Sequence, residues 1–558
     1  MFFTDDLRKK IDSHPVITFD VFDTLIFRDV YYTEDIFSIV AKKTGVRNFR
    51  KKRMAAAIRA QKNNKYYTLK DIYDFLSYPD CVKKQLYDEE INAEYANITL
   101  NSEMKAVYDY CLQTGKKIYA ISDMYLSSDV ISCMLKRAGY NIDTVLVSCE
   151  CKAVKSDGSL FSYFLRLFSI QNKDVLHIGD NEKADGGAQG CCIDYELYSR
   201  CNWKNYYYYS PFFSSLRKTV ANRLGFDYKD EYLSYLQLIS FIHNRSVGSY
   251  SVAEQIGYRI LGPLVLSYCS MIHEVVHEKK IQKIFFLARD AKFIMMAYEQ
   301  LYGNDVEMEY FRLSKKAISP ALQYINGELT EENKEQFFAF KKYLENINFC
   351  GNLAIVDVGW SGNTYCDLKK ICKFSKIDLI PHLFYLGSAV SLRVKLPDSE
   401  IGGIFLNVCP VRNYVSAGFI ETLFSETGGT CLKYQANTGK PMLGENEENC
   451  EVLDRIHAAC MSFIKDSCGM TFNCSKYIQK VFFRYVENPQ KNDVRMFDNF
   501  LRRNDGALKI VCHEKPFAFN SLKNSLWKGA FFKENFGCFS VFLYRLYIFV
   551  DSFVIRRK

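Results

Sequence analysis

Four short runs of β-branched and aromatic residues in the first two hundred positions each close on a polar residue. Residues 16–19 (VITF) lead into Asp20, and residues 116–121 (KKIYAI) into Ser122-Asp123. Residues 144–148 (TVLVS) end on a serine, and residues 174–178 (DVLHI) lead into Gly179-Asp180. Short unbroken apolar runs suit strands buried on both faces, as in a parallel sheet. Helical stretches separate them, and strand alternating with helix predicts a doubly wound α/β fold. Ligands of such sheets sit at the carboxyl ends of the strands, where these polar residues fall.

The residues at those ends form an ordered set: Asp20-Val21-Phe22-Asp23-Thr24, then Ser122, then Lys155 in KSDGSLF, then the segment Gly179-Asp180-Asn181-Glu182-Lys183-Ala184-Asp185. In order and placement the set resembles the four motifs of the haloacid-dehalogenase-type (HAD) hydrolase superfamily, over residues 15–197. The resemblance implies a Rossmann-like parallel sheet. It implies Asp20 as nucleophile, Ser122 on a transferring oxygen, and Lys155 neutralising both nucleophile and phosphate. It also implies Mg²⁺ held by Asp20, the backbone carbonyl of Phe22, Asp180 and Asp185, the last directly or through water. Elementary chemistry asks for the same parts. Phosphoryl transfer to a carboxylate needs a nearby counter-charge. Clustered acids are unfavourable without a cation, and Mg²⁺ favours octahedral oxygen ligands. Taken singly, Asp20 and Asp180 also suit turns after strands, and Ser122 suits a helix N-cap.

Phe22 departs from the pattern, because phosphatases of the family carry an acid two positions after the nucleophile. Asp23 is one residue further on, and an extended backbone would point it to the other side. Without the acid, protonation of a leaving alcohol loses a factor of about 10²–10⁴. Family dehalogenases also lack it. Residues 30–100 read as a helical insert in the position of a family cap, which closes over the site. Lys65, Tyr66 and Tyr67 of that insert suit either substrate contacts or ordinary surface and core.

A second α/β region is expected over residues 251–435, after a connection at 206–250. Residues 281–287 (IQKIFFL) lead into Ala288-Arg289-Asp290, residues 353–358 (LAIVDV) into GWSGNT, and residues 379–386 form a third strand. Asp357, Gly359, Ser361, Gly362 and Thr364 thus end a strand and open a small-residue loop, where backbone N–H groups can surround a phosphate. The loop is similar to the ribose-phosphate loop of type I phosphoribosyltransferases, and Ala288-Arg289-Asp290 to their diphosphate loop. That family carries two adjacent acids where this chain has Val356-Asp357. The other reading is a tight strand-to-helix turn, with Arg289, Asp290 and Arg312 in structural ion pairs. The segments FFLARDAKF, YFRLSKKA, VDVGWSGNT and FSETGGT, with DVFDTLIFR ending at Arg28, resemble a bacterial HAD-type group encoded with surface-polysaccharide genes.

The 558 residues carry a formal charge of +9 with no dense basic block, so nucleic acid is not an expected partner. The excess suits a phosphate-bearing ligand, an anionic membrane, or solubility alone. The 20 cysteines show no zinc spacing, and the chain opens without an apolar signal core. They read as reduced thiols of a cytoplasmic protein. Residues 436–558 are mixed and end on an apolar helix from 536. Arg545 and Asp551 would each cost about 2.5–3.5 kcal/mol at a membrane centre, so that helix does not span one. Ser540, Arg545, Asp551 and Ser552 share one arc, which suits a helix lying on an anionic inner membrane surface or docked on the core. The expectation is a HAD-like domain over residues 1–205 that hydrolyses a phosphorylated sugar or related metabolite of surface-glycan synthesis, beside other glycan-synthesis enzymes. The alternatives are a phosphate-binding scaffold and a glycosyl- or phosphoribosyl-transferase in the second half.

Overall fold

The computed structural model describes residues 2–199, 207–209, 214–224, 228–245, 250–389, 391–406, 410–426, 428–445, 451–497, 501–503, 507–509 and 519–555. The chain divides into one unit of Met1–Ser249 with Phe472–Cys474, and a second of Tyr250–Thr471 with Ser475–Lys558.

In the first unit, Val16–Phe19 is buried at every position and lies at the centre of a five-stranded sheet. The order is Val145–Val147, Lys117–Ser122, Val16–Phe19, Val175–Gly179, Asp194–Leu197, and every pairing is parallel. The expected α/β class is borne out. Phe19 pairs with Ala120 on one side and Ile178 on the other. That register brings Asp20, Ser122 and Asp180 out at one carboxyl edge. The strand order reverses between Val16–Phe19 and Val175–Gly179, so Asp20 and Asp180 flank the crevice where such sheets bind ligands. Asp194–Leu197 is an edge strand, and its mixture of acids and apolar residues leaves no run to mark it.

The insert hangs on an antiparallel stem of Ile26–Arg28 and Ile98–Leu100. It carries helices Asp35–Thr44, Phe49–Asn63, Leu69–Asp74 and Asp80–Ala96. Thr68 and Asp71 cap the third with a reciprocal pair of hydrogen bonds. Arg53 and Glu90 are fully buried and joined by two hydrogen bonds of 2.8 and 2.7 Å, with the Tyr73 hydroxyl donating to the same carboxylate. A buried charge is tolerable only when so paired, and removing one partner typically costs about 3–5 kcal/mol. Helix Asp230–Arg245 belongs to this unit. The Asn244 amide donates to Asp29 Oδ1 at 2.6 Å, and Arg245 pairs with Asp29 at 3.0 Å.

The second unit holds another parallel five-stranded sheet, ordered Ile401–Leu406, Leu379–Gly387, Gly351–Asp357, Lys283–Leu287, Glu307–Phe311. Its three inner strands are those the sequence marks. The two edges are not marked, because Glu307–Phe311 alternates acids and Ile401–Leu406 contains two glycines. Here the order reverses between Lys283–Leu287 and Gly351–Asp357, which places Asp290 and Asp357 beyond that switch point. Among the described residues one helix, Val252–Glu278, is long and apolar enough to cross a membrane, and 67% of its apolar window is buried. It packs on helix Glu451–Asp466 so closely that a Cβ on Gly257 would lie 2.1 Å from the Ile456 carbonyl.

The terminal helix Ser540–Ile555 packs through Tyr544 on Phe531 and Phe532. Ser540 is buried, so it leaves the expected polar arc: contact with the unit covers that side of the helix. Phe542, Leu546, Phe549 and Val550 are exposed. The side chains of Asp551 and Ser552, and residues 556–558, lie outside the described residues.

Candidate active site

Lys155 Nζ donates to both Asp20 and Asp185, with all three side chains almost wholly out of water. Two structural devices hold this arrangement. Asp123, one residue past the strand Lys117–Ser122, accepts the backbone N–H of Lys155 on both oxygens at 3.0 and 3.1 Å. Gly179 lets the chain fold back on itself: a Cβ there would meet Asp185 Cγ at 2.3 Å. The glycine of the Gly-Asp pair is therefore required by close approach.

Behind the lysine, His177 Nε2–H donates to Asp185 Oδ1 at 3.2 Å, and the Thr18 hydroxyl lies 2.8 Å from His177 Nδ1. The backbone N–H of Asn181 donates to Asp185 Oδ2 at 2.9 Å. Both oxygens of Asp185 thus carry protein donors, which fits a supporting group or a ligand acting through water. Asp180 is less enclosed, and the Thr24 hydroxyl donates to its Oδ1 at 3.4 Å. Ligand oxygens of Asp20, Asp180 and Asp185 all lie within 4.8 Å of one another.

The charges follow the geometry. Burial raises the Asp20 carboxyl to about 6, with Lys155 pulling the other way. Burial also pushes Asp180 up to about 7, and the charges of Asp20 and Asp23 add to it. Burial acts the same way on Asp185, but the His177 hydrogen bond and the Lys155 charge outweigh it and hold that carboxyl well below the ordinary range. Burial disfavours the charged form of Lys155, yet Asp20 and Asp185 overcome it and keep the ammonium. One lysine among three carboxylates leaves an excess of negative charge at Asp20 and Asp180. A divalent cation with oxygen ligands would balance it.

Ser122 is buried at the same sheet edge, paired in register with Val147. Phe22 forms a bridge with Ile26, and its ring lies 3.9 Å from the Arg28 guanidinium. Arg28 in turn donates to Glu94 at 2.8 Å. The extended-strand expectation for Asp23 is overturned. The strand ends at Phe19, and Asp23 sits in a left-handed turn with φ 61°. From there it acts on Asp180 and lines a cavity with Phe22, Arg28, Tyr31, His243 and Asn244. The sequence gives no sign that His243 and Asn244, more than two hundred residues away, reach this cavity. Lys65 is exposed and pairs with Asp157 at 2.9 Å, two residues from Lys155, and Tyr67 stacks on Tyr125.

In the second unit, Asp357, Gly359, Ser361, Gly362 and Thr364 line one cavity with Leu287, Leu313 and Tyr385. Arg289 and Asp290 are not among its lining residues. Burial lifts Asp357 to about 8, with the charges of Asp290 and Glu421 adding. An acid-rich surrounding opposes a bare phosphate. A Cβ on Gly359 would lie 2.4 Å from the Gly387 carbonyl, so packing alone accounts for this glycine. Arg312 lies 3.9 Å from Glu426, which also takes Lys292 at 2.8 Å.

No protein-family model and no curated protein matches the chain. Solved structures similar to parts of it include an uncharacterized protein from Listeria monocytogenes serotype 4b, 20% identical over 18% of this chain and 60% of that one, with a TM-score of 0.17. A HAD phosphatase from Thermococcus onnurineus is 13% identical over 34% of this chain and 87% of that one, with a TM-score of 0.26. A HAD family enzyme from Bacteroides thetaiotaomicron is 16% identical over 35% of this chain and 98% of that one, with a TM-score of 0.27. The match thus spans 60% of the length of the Listeria protein.

Proposed function

We propose that the first unit is a HAD-type hydrolase that takes a phosphoryl group onto Asp20. The observation that carries this reading is the buried bridge of Lys155 between Asp20 and Asp185, with Asp180 beside it at the sheet's switch point. Asp20 would attack phosphorus as the ester oxygen departs with the electrons of the P–O bond. Water would then cleave the aspartyl phosphate and release inorganic phosphate. Lys155 neutralises Asp20 for the approach of an anionic phosphate and keeps it ionised. Ser122 would hydrogen-bond a transferring oxygen.

Asp20, Asp180 and the Phe22 carbonyl would hold Mg²⁺, with Asp185 positioning Lys155 and acting through water. When bound, the ion would offset charge on the phosphoryl oxygens. Phe22 holds the sequence position at which phosphatases of the resembled family carry a proton donor, so esters with good leaving groups would turn over faster than alkyl esters. The insert of residues 30–100, joined to the Lys155 loop by the Lys65–Asp157 pair, would act as the cap. A phosphorylated sugar or related metabolite of surface-glycan synthesis is the proposed substrate class, on the resemblance around residues 20–28 and in the second half.

The test is hydrolysis of a sugar-phosphate panel and an aryl phosphate, with Mg²⁺ or EDTA. Turnover with Mg²⁺ and its loss in Asp20→Asn support the reading. A folded chain that turns over no phosphoester favours the second reading, phosphate binding without turnover, to which Phe22 points.

The exposed stripe of Phe542, Leu546, Phe549 and Val550, with exposed Arg545 beside it, supports peripheral contact with an anionic membrane surface. Flotation with anionic vesicles should fall in Phe542→Ser/Phe549→Ser, and equal flotation would exclude this contact.

A further inference from the structure

The apolar helix Val252–Glu278 ends on Met271-Ile272-His273-Glu274-Val275-Val276-His277. Two histidines four residues apart on a helix lie on one face. The pattern His-Glu-x-x-His is one in which both imidazoles can take the same metal ion. By itself the pattern is weak, since any two such histidines satisfy it.

The fold supplies a third group. Asp305 arrives from the turn after helix Lys292–Tyr302 and meets both histidines. Its Oδ2 lies 2.9 Å from His277 Nε2 and 3.7 Å from His273 Nδ1. One ligand atom from each of the three residues can be chosen so that all lie within 4.8 Å of one another. In a tetrahedral zinc site, bonds of 2.0–2.1 Å separate neighbouring ligand atoms by about 3.3 Å. The separations of 2.9 and 3.7 Å bracket that value.

The surroundings hold the donors in place. The His273 ring stacks on Tyr302 with centroids 3.8 Å apart and planes 6° apart. The Tyr298 hydroxyl lies 3.1 Å from His273 Nδ1 and fixes the turn of the ring. His277 and Asp305 are 53% and 31% exposed, so an ion can enter and a further position stays open to water. A lone surface pair of His277 and Asp305 would be worth at most about 1 kcal/mol, and it would not need His273 stacked beside it.

We propose that His273, His277 and Asp305 form a binding site for one divalent transition ion of the zinc class, separate from the carboxylate site of the first unit. Imidazole with one carboxylate suits Zn²⁺ and its Irving–Williams neighbours, whereas the all-oxygen cluster around Asp20 suits Mg²⁺. Glu274 is exposed between the histidines and is not a ligand in this site.

The experiment is calorimetric titration of Zn²⁺ into the full chain, untagged and in saturating Mg²⁺, with Co²⁺ as an optical probe of coordination. One equivalent is expected to bind the wild type. Loss of a ligand in His277→Ala or Asp305→Ala should weaken binding by about 100-fold or more, since loss of a supporting group alone costs about 10- to 100-fold. Glu274→Gln should bind as the wild type does. Melting in EDTA establishes that each variant is folded, and His277→Gln serves if the alanine variant is not. X-ray absorption of the zinc-loaded chain should show imidazole and oxygen without sulfur. No binding, equal binding in the ligand variants, or a sulfur shell from the cysteines would each overturn the site.

Discussion

His177 Nε2 lies 3.2 Å from Asp185 Oδ1, with both side chains fully buried, and the same oxygen takes the ammonium of Lys155. Burial lowers the affinity of His177 for a proton, so the imidazole is neutral and donates its N–H. A strand residue with no route to substrate therefore fixes the carboxylate that fixes the lysine. Replacing it with leucine should leave Asp185 short of a donor and destabilise the fold by about 1–3 kcal/mol. Mg²⁺ affinity should fall by about 10- to 100-fold, as when supporting groups of metal ligands are lost. Chemical denaturation and Mg²⁺ titration of His177→Leu check both, and a variant equal to wild type in both would remove His177 from the account.

Lys155→Met takes from the Asp20–Asp185 pair the one ammonium that reaches it among the described residues. Turnover should drop by about 100- to 1,000-fold, the loss typical of one electrostatic contact to a transferring group. In EDTA the variant should also be less stable by about 3–5 kcal/mol, because buried carboxylates lose their counter-charge. Steady-state kinetics and denaturant melts measure the two effects. A variant that melts with the wild type would contradict the buried bridge.

Asp20 and Asp180 stand at about 6 and about 7 in the metal-free chain, above the ordinary 3.8, with burial the first cause for both. Over that interval the folded chain binds more protons than the unfolded one, and stability falls as pH rises. The stability difference between the wild type and Asp20→Asn/Asp180→Asn in EDTA should therefore decline from about pH 4 to about pH 7, a comparison in which His177, held low, and Asp357, held high, are common to both chains. Asp185, held low, acts in the opposite sense and only below this window. Mg²⁺ should remove the decline and release protons as it binds near pH 6–7. A difference that rises through this window in EDTA would contradict the assignment.

Phe22→Asp places an acid two positions after the proposed nucleophile, Asp20. Alkyl phosphates, whose leaving oxygen needs a proton, should gain about 10²–10⁴-fold in turnover. Aryl phosphates should change little. The ratio of the two rates, measured in wild type and variant, isolates this effect from general disturbance of the Arg28 stack. A parallel change in both rates would count against the missing proton donor.

Strands buried on both faces are continuous apolar runs, and both sheets were legible from them. Edge strands such as Asp194–Leu197 and Glu307–Phe311 mix acids with apolar residues and carry no such mark. At the site, the positions after each strand were readable because a parallel register delivers strand ends to one edge. What escaped the sequence is what local turns and distant chain decide. Asp23 was misplaced because its left-handed φ of 61° breaks the alternation of a strand. His177 reads as one more strand residue until its partners are known. His243 and Asn244 reach the cavity from a helix more than two hundred residues on. The pairing of His277 with Asp305 joins positions 28 residues apart, which spacing among cysteines could never reveal.

Attack by Asp20 on phosphorus is tested by the mass of the peptide bearing Asp20 after acid quench during turnover of an aryl phosphate with Mg²⁺. One added phosphoryl group is expected on that peptide, absent in EDTA and in Asp20→Asn. Turnover that proceeds undiminished in Asp20→Asn, with the peptide unmodified in the wild type, would contradict it.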